Sequence, residues 1–189
     1  MKKFLCGVLS VFFAFSLCAC GDGESSSTES SSTGTETILK DENGFIFERR
    51  YGEQSSIKDY KIVGIESVSP VLIIPDTFNG ERVAAIGERA FENCDEIETI
   101  ILTEEIAVID EYAFNDCDGL KHVYIPFGVS EISAYAFADC DNLKAVTFGD
   151  TNNWCIDREY GFDFTDPYLM ATYLTTTYKD KNFEWRLTS

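Results

Sequence analysis

VAAIGERAFENCDEIETIIL, residues 83–102, returns twice at unchanged length, as IAVIDEYAFNDCDGLKHVYI at 106–125 and VSEISAYAFADCDNLKAVTF at 129–148. The step is 23 residues at every aligned position: Val83, Ile106 and Val129; Ile86, Ile109 and Ile132; Phe91, Phe114 and Phe137; Cys94, Cys117 and Cys140. A fixed period of this size marks a solenoid, in which each repeat is one turn of chain that can bury its apolar residues only against the turns above and below. Each copy ends in an apolar triplet spaced three and two apart: Ile97, Ile100 and Leu102; Leu120, Val123 and Ile125; Leu143, Val146 and Phe148.

The triplet has the form of the strand segment in a leucine-rich repeat, where alternation sends one set of side chains inward and the other outward. The rest of the unit, V-x-x-I-x-x-x-A-F-x-x-C ahead of the triplet with Pro126 just after it, resembles the BspA-like (Treponema pallidum type) leucine-rich repeat family. The commoner leucine-rich pattern puts an Asn or Cys after the strand. Here those positions hold Glu105 and Gly128, and the cysteine precedes the strand. The segment VLIIPDTFNGERVAAIG, with Leu72, Ile74 and Pro75 in strand register and an Asn79-Gly80 turn, resembles the family's entry segment and counts as a fourth, irregular repeat. Trp154, DPYLMATYLTTTY and FEWRL resemble a C-terminal region that follows the last repeat in such proteins, so the resemblance runs from about Asp59 to Leu187. The fold expected is an α/β solenoid: a short leucine-rich repeat stack with a small parallel sheet on one face, an N-terminal β entry segment and a C-terminal cap with one helix. Its expected divisions are 1–19 signal peptide, 20–42 tether, 43–82 N-terminal cap and irregular repeat, 83–149 three regular repeats, and 150–189 C-terminal cap.

Met1-Lys2-Lys3 and the uncharged run Phe4 to Cys18 form a basic segment and a hydrophobic stretch too short to span a bilayer as a mature helix, the pattern of a signal peptide. Leu17-Cys18-Ala19-Cys20 resembles a lipobox, which implies cleavage before Cys20 and a lipid on its thiol; an ordinary secretory cleavage near Ala19 is the alternative. Residues 21–37 are Ser, Thr and acidic residues with little else, a composition that cannot offset chain entropy by burial. Such a tether holds a domain tens of Å from a membrane at most. Removing Lys2 and Lys3 takes the formal charge from −18 to −20, which repels nucleic acid and anionic head groups. Membrane attachment is therefore expected through the lipid on Cys20, on the outer side of a bacterial cell.

The cysteines at one repeat position stack in a column about 4.8 Å apart, where a thiol is a small apolar filler. Reduced thiols are expected; a bridge between two neighbours is geometrically allowed, and a column does not converge on a metal. Asp95, Asp118 and Asp141 form a like-charge column beside Glu92, Asp116 and Asp139, explained by local capping of each corner or, less economically, by calcium between turns. His122 is the single histidine and has no partner in sequence that marks a base. No phosphate loop, histidine metal motif or Ser-His-Asp spacing occurs, so neither an enzyme nor a cofactor is expected. Asp166-Pro167 reads as a helix start with Leu169, Tyr173 and Leu174 on its apolar side, and Trp154, Phe183 and Trp185 as anchors of the cap.

With the triplets inward, the intervening residues point out: Ile73, Ile101, Tyr124 and Thr147 in one column, Val71, Thr99, His122 and Ala145 in the next. Clustered apolar groups on an acidic protein mark a contact site, with Ile73, Thr99, Ile101, His122, Tyr124 and Thr147 as its candidate residues, unless the C-terminal tail or a second subunit covers them. The resemblance implies a surface protein binding a protein on a host or neighbouring cell or in the envelope. A structural envelope component and an accessory enzyme domain are the other classes. Changing Cys20 to Ser is expected to release the protein from membranes; a variant that still sediments with them, with no fatty-acid label on the parent, contradicts the anchor.

Overall fold

A computed structural model describes residues 39–51, 58–152 and 154–185. The expected signal peptide, Cys20 and residues 21–37 of the tether lie outside the described residues. The segment assigned to the tether already contains a strand, β1 (Leu39–Lys40), antiparallel to β2 (Phe45–Tyr51), which pairs with β3 (Lys58–Ile65). The chain then enters β4 (Val71–Ile73) and the short hairpin β5 (Thr77–Phe78) and β6 (Glu81–Ile86). Asn79 and Gly80 both have positive φ, 52° and 79°, as a two-residue hairpin turn with the strand twist requires.

From β6 the regular turns alternate between two sheets. The apolar triplets form β7 (Thr99–Ile101), β9 (His122–Ile125) and β11 (Ala145–Phe148), and these stack in parallel and in register with β4. This is the sheet expected on one face. A second ladder runs through the V-x-x-I segments: β6, β8 (Val108–Ile109) and β10 (Glu131–Ile132) are parallel and continue from β3. Two-residue strands of this kind carry too short an alternation to announce themselves as sheet, although Ile86, Ile109 and Ile132 already fall at one repeat position.

Between the sheets lies one core with its own stacking. Phe91, Phe114 and Phe137 are buried and lie parallel, with centroids 5.1 and 5.2 Å apart. At the corners, Phe91 N–H donates to Ala113 O and Phe114 N–H to Ala136 O, both at 2.8 Å, so each turn's corner amide is satisfied by the next turn's carbonyl. The corners hold two left-handed residues per turn: Asn93, Asp116 and Asp139 at one site, where Asn and Asp tolerate that conformation, and Arg89, Tyr112 and Tyr135 at the other. Bulky residues there cost about 1–2 kcal/mol each. Stacking offsets part of that cost: Tyr112 and Tyr135 are parallel at 4.9 Å, and the Arg89 guanidinium lies 4.3 Å over Tyr112. Gly128 marks the tightest approach of two turns, since a Cβ there would stand 1.8 Å from Glu104 O.

The cysteine column is buried as expected, with one refinement. Cys117 Sγ donates to Phe91 O at 3.1 Å and Cys140 Sγ to Phe114 O at 3.0 Å, so these free thiols bond turn to turn as well as fill space. Cys94 is fully buried in the same column. The aspartate column bonds turn to turn too. Asp118 N–H donates to Asp95 Oδ1 at 3.2 Å and Asp141 N–H to Asp118 Oδ1 at 3.3 Å. The carboxylates of Asp95 and Asp118 thus cap the equivalent residue of the next turn.

The C-terminal segment closes the far end. Asp166 caps α1 (Pro167–Thr172) by accepting from Tyr168 N–H and Leu169 N–H, and the helix packs on β11. It continues as a π-helical turn over Tyr173–Thr177. Leu174 is buried and Leu169 and Tyr173 pack half-buried against the core, as expected, with Met170, Ala171 and Thr175 buried beside them. Trp154 in β12 (Trp154–Ile156) and Phe183 in β13 (Phe183–Trp185) are buried as anchors; the Trp185 side chain lies outside the described residues. β13 pairs antiparallel with β10 at the edge of the second sheet. The last corner, which has no further turn to bond, is finished by the cap: Tyr135 N–H donates to Lys179 O, Ala134 N–H to Asn182 Oδ1 at 2.9 Å, and Lys179 Nζ pairs with Asp139 at 2.8 Å.

Two expectations follow. Phe114→Ala removes the middle ring of the stack and costs about 3–5 kcal/mol in chemical denaturation. Cys117 is pushed far above its usual range by a thiol hydrogen bond with Cys140 and then by burial. A raised pKa favours the neutral form in the folded state, so this contribution is whole below the unfolded value of about 8.5 and declines as pH rises past it. Native-state labelling of Cys117 by a thiol reagent should accordingly be no faster than global unfolding; rapid labelling at pH 7 contradicts the packing.

Candidate functional site: the outer face of the triplet sheet

Strand alternation in β4, β7, β9 and β11 fixes which side chains leave the core. Leu72, Ile100, Val123 and Val146 are buried in one row, and Ile74, Leu102, Ile125 and Phe148 in the next. The register then aligns Ile73, Ile101, Tyr124 and Thr147 across the four strands, and Val71, Thr99, His122 and Ala145 beside them. All six candidate residues therefore lie on one face. Ile73 is 61 % exposed and Ile101 and Tyr124 46 % each; His122 and Thr147 are exposed, while Thr99 and Ala145 are half-buried between their neighbours.

Phe127 extends this strip and was not among the residues singled out from sequence. It stands two residues after β9, beyond Pro126, and is 67 % exposed. The signal for it is faint, because Phe127 lies past the triplet and its counterpart positions, Glu104 and Asp150, are acidic. Both rings lie over Gly149. A Cβ on Gly149 would stand 2.7 Å from Tyr124 Oη and 3.1 Å from the Phe127 ring, so the missing side chain leaves the space over which both rings lie. Tyr124 and Phe127 thus make an aromatic end to an aliphatic strip of Ile101, Ile73 and Val71.

Charge surrounds the strip. Lys121 pairs with Glu98 at 2.6 Å on one flank. On the other, Glu104 Oε2 accepts from Gly128 N–H at 3.0 Å. The acidic column lies at the corner before the strands, where burial and then the neighbouring Asp118, Asp95, Asp139 and Asp141 raise the pKa of Asp116. Among the described residues no group of three or more His, Cys, Asp or Glu is placed to hold a metal ion, and no helix is long and apolar enough to cross a membrane. Neither the described C-terminal strands nor α1 covers the strip: β13 extends the other sheet, and α1 packs at the end, on β11.

This geometry, two parallel ladders around a 23-residue turn with the outward row between paired inward residues, can be compared with known proteins. The family model "BspA type Leucine rich repeat region (6 copies)" matches residues 55–159. The chain belongs to the BspA-type leucine-rich repeat family. Among solved structures it is similar to a leucine-rich repeat protein of Treponema pallidum, with a TM-score of 0.50 and 22 % identity over 56 % of this chain and 48 % of that one. A leucine-rich repeat protein of Bacteroides ovatus gives 0.43 and 23 %, covering 53 % and 27 %, and the pneumococcal vaccine antigen PcpA gives 0.41 and 16 %, covering 61 % and 39 %. The chain spans half or less of the length of these three. A comparison with curated proteins returns no match. Membership in this repeat family is consistent with a protein-interaction module.

Gly149→Ala tests the aromatic end. The added methyl is expected to displace the Tyr124 ring, read as a shift of its ring resonances, at a stability cost below about 1 kcal/mol because Tyr124 is free to swing outward. Unchanged Tyr124 resonances in a folded variant contradict the contact.

Proposed function

We propose that this chain is an exported, lipid-anchored surface protein whose triplet-sheet face binds a protein partner, and that it is non-catalytic. The observation that carries the reading is the strip Val71, Ile73, Ile101, Tyr124 and Phe127, held exposed on strands whose opposite side is a rigid core. Maintaining several large apolar side chains in water has no folding benefit, and a cluster of them on an acidic protein fits a contact surface. Rigid strands present these groups with little ordering cost, which favours recognition of a preformed partner surface. The anchor rests on Leu17-Cys18-Ala19-Cys20 and the Ser/Thr-rich residues after it. Together they supply a tethered binding module on the outer side of the cell, with a partner on a host or neighbouring cell or in the envelope, and adhesion as the consequence of many such contacts.

The full chain and the double variant Ile101→Ser, Tyr124→Asp are compared for capture of proteins from host matrix and neighbouring-bacterium extracts, and the captured partner is then titrated. The double variant is expected to fold with unchanged stability and to bind at least about a hundredfold more weakly, as loss of two central anchors implies. A folded double variant that binds as tightly as the parent places the contact elsewhere.

A further inference from the structure

We propose a second binding site, separate from the apolar strip: an open cleft between the start of β11 and the C-terminal helix that takes an acidic sugar, a hydroxylated ring bearing a carboxylate. The cleft is about 520 Å3, within the range of small-ligand sites, and is lined by Leu143, Lys144, Tyr168, Ala171, Thr172, Thr175 and Thr176. Its polar groups define what fits.

Thr172 Oγ1 donates to Tyr168 O at 3.1 Å, Thr175 Oγ1 to Ala171 O at 2.9 Å and Thr176 Oγ1 to Thr172 O at 2.9 Å. All three hydroxyl protons are therefore committed to the helix, and what these groups offer the cleft is oxygen lone pairs. A ligand must bring donors to them, which a polyhydroxylated ring does and a phosphate does not. Thr172, Thr175 and Thr176 stand three and four positions apart, a spacing that puts all three on one side of the helix, toward the cleft.

Lys144 supplies the opposite requirement. Every other lysine with a described side chain makes an ion pair: Lys40 with Glu66, Lys61 with Glu48, Lys121 with Glu98, Lys179 with Asp139, and Lys181 with Asp157. Lys144 is exposed and makes none among the described residues, in a chain of 15 basic and 33 acidic residues. Its ammonium is a donor for one carboxylate. Tyr168, 68 % exposed, adds a flat ring at the mouth, without a ring contact among the described residues, on which the C–H face of a sugar can lie. One cation, three acceptors and one open aromatic face describe a sugar acid better than a neutral sugar or a simple anion. Because the formal charge is −18, an anion held here is held by local contacts and not by the field of the whole protein.

The test is isothermal titration calorimetry of the full chain with tetragalacturonate and with sialyllactose, against cellotetraose and lactose as neutral controls. At least one acidic probe is expected to bind, its neutral control about tenfold or more weaker, with affinity falling as salt rises. Lys144→Gln and Tyr168→Ala should each weaken it about tenfold at unchanged thermal unfolding, and Lys144→Arg should retain most of it. No heat with either acid, equal affinity for acid and control, or full affinity in folded Lys144→Gln and Tyr168→Ala proteins overturns the proposal. The double variant on the apolar strip should bind the acidic probe as the parent does, which keeps the two sites distinguishable.

Discussion

Every turn of this protein ends in corner amides that only another turn can satisfy. Phe91, Asn93, Phe114 and Asp116 donate to carbonyls 22 residues ahead, and the Cys117 and Cys140 thiols reach back to the carbonyls of Phe91 and Phe114. A buried donor without a partner costs about 1–3 kcal/mol, so a turn missing its neighbour would expose several such costs at once. Invariance of the 23-residue step follows, since one inserted residue would misalign two ladders, the phenylalanine stack and the corner bonds together. The C-terminal cap answers the same constraint at the end of the stack, through Lys179 O, Asn182 Oδ1 and the β13 pairing with β10.

The constraint also separates stability from function along each strand. Val123 and Ile125 are held inward by the stack, and Tyr124 between them is left to face water whatever it contributes to folding. The outer row can therefore change without disturbing the core, while its spacing stays rigid. Here the outer row is aliphatic at β4 and β7 and aromatic where Tyr124 and Phe127 lie over Gly149. The acidic column lies at a different corner, and the carboxylates of Asp95 and Asp118 are engaged in capping the next turn.

Much of this was legible in the residues because burial imposes period. Repetition of Ile86, Phe91, Cys94 and the triplets named the turn, and alternation within the triplet placed Ile101 and Tyr124 outside. Asp166-Pro167 marked the helix start because both residues act through local backbone chemistry. The second parallel ladder was not legible, since β8 and β10 are two residues each and inter-turn hydrogen bonds leave no trace in composition. Left-handed Arg89, Tyr112 and Tyr135 run against residue preference and are held by stacking that depends on the assembled turns. Phe127 lay outside the repeat pattern, and its place over Gly149 depends on the next turn of the stack. The π-helical turn that continues α1 over Tyr173–Thr177 left no mark in the helical spacing.

If the turn is the cooperative unit, a whole turn can be removed. Excising residues 106–128 joins Glu105 to Val129 and leaves the remaining turns in register. Denaturant unfolding of this chain, measured beside one lacking only 106–117, tests the account most directly. The 23-residue deletion should unfold cooperatively with a smaller denaturant slope and lower stability than the parent, in keeping with its smaller buried surface, while the 12-residue deletion should show no cooperative transition. If the two deletions behave alike, stacking of equivalent turns is not what holds the protein together.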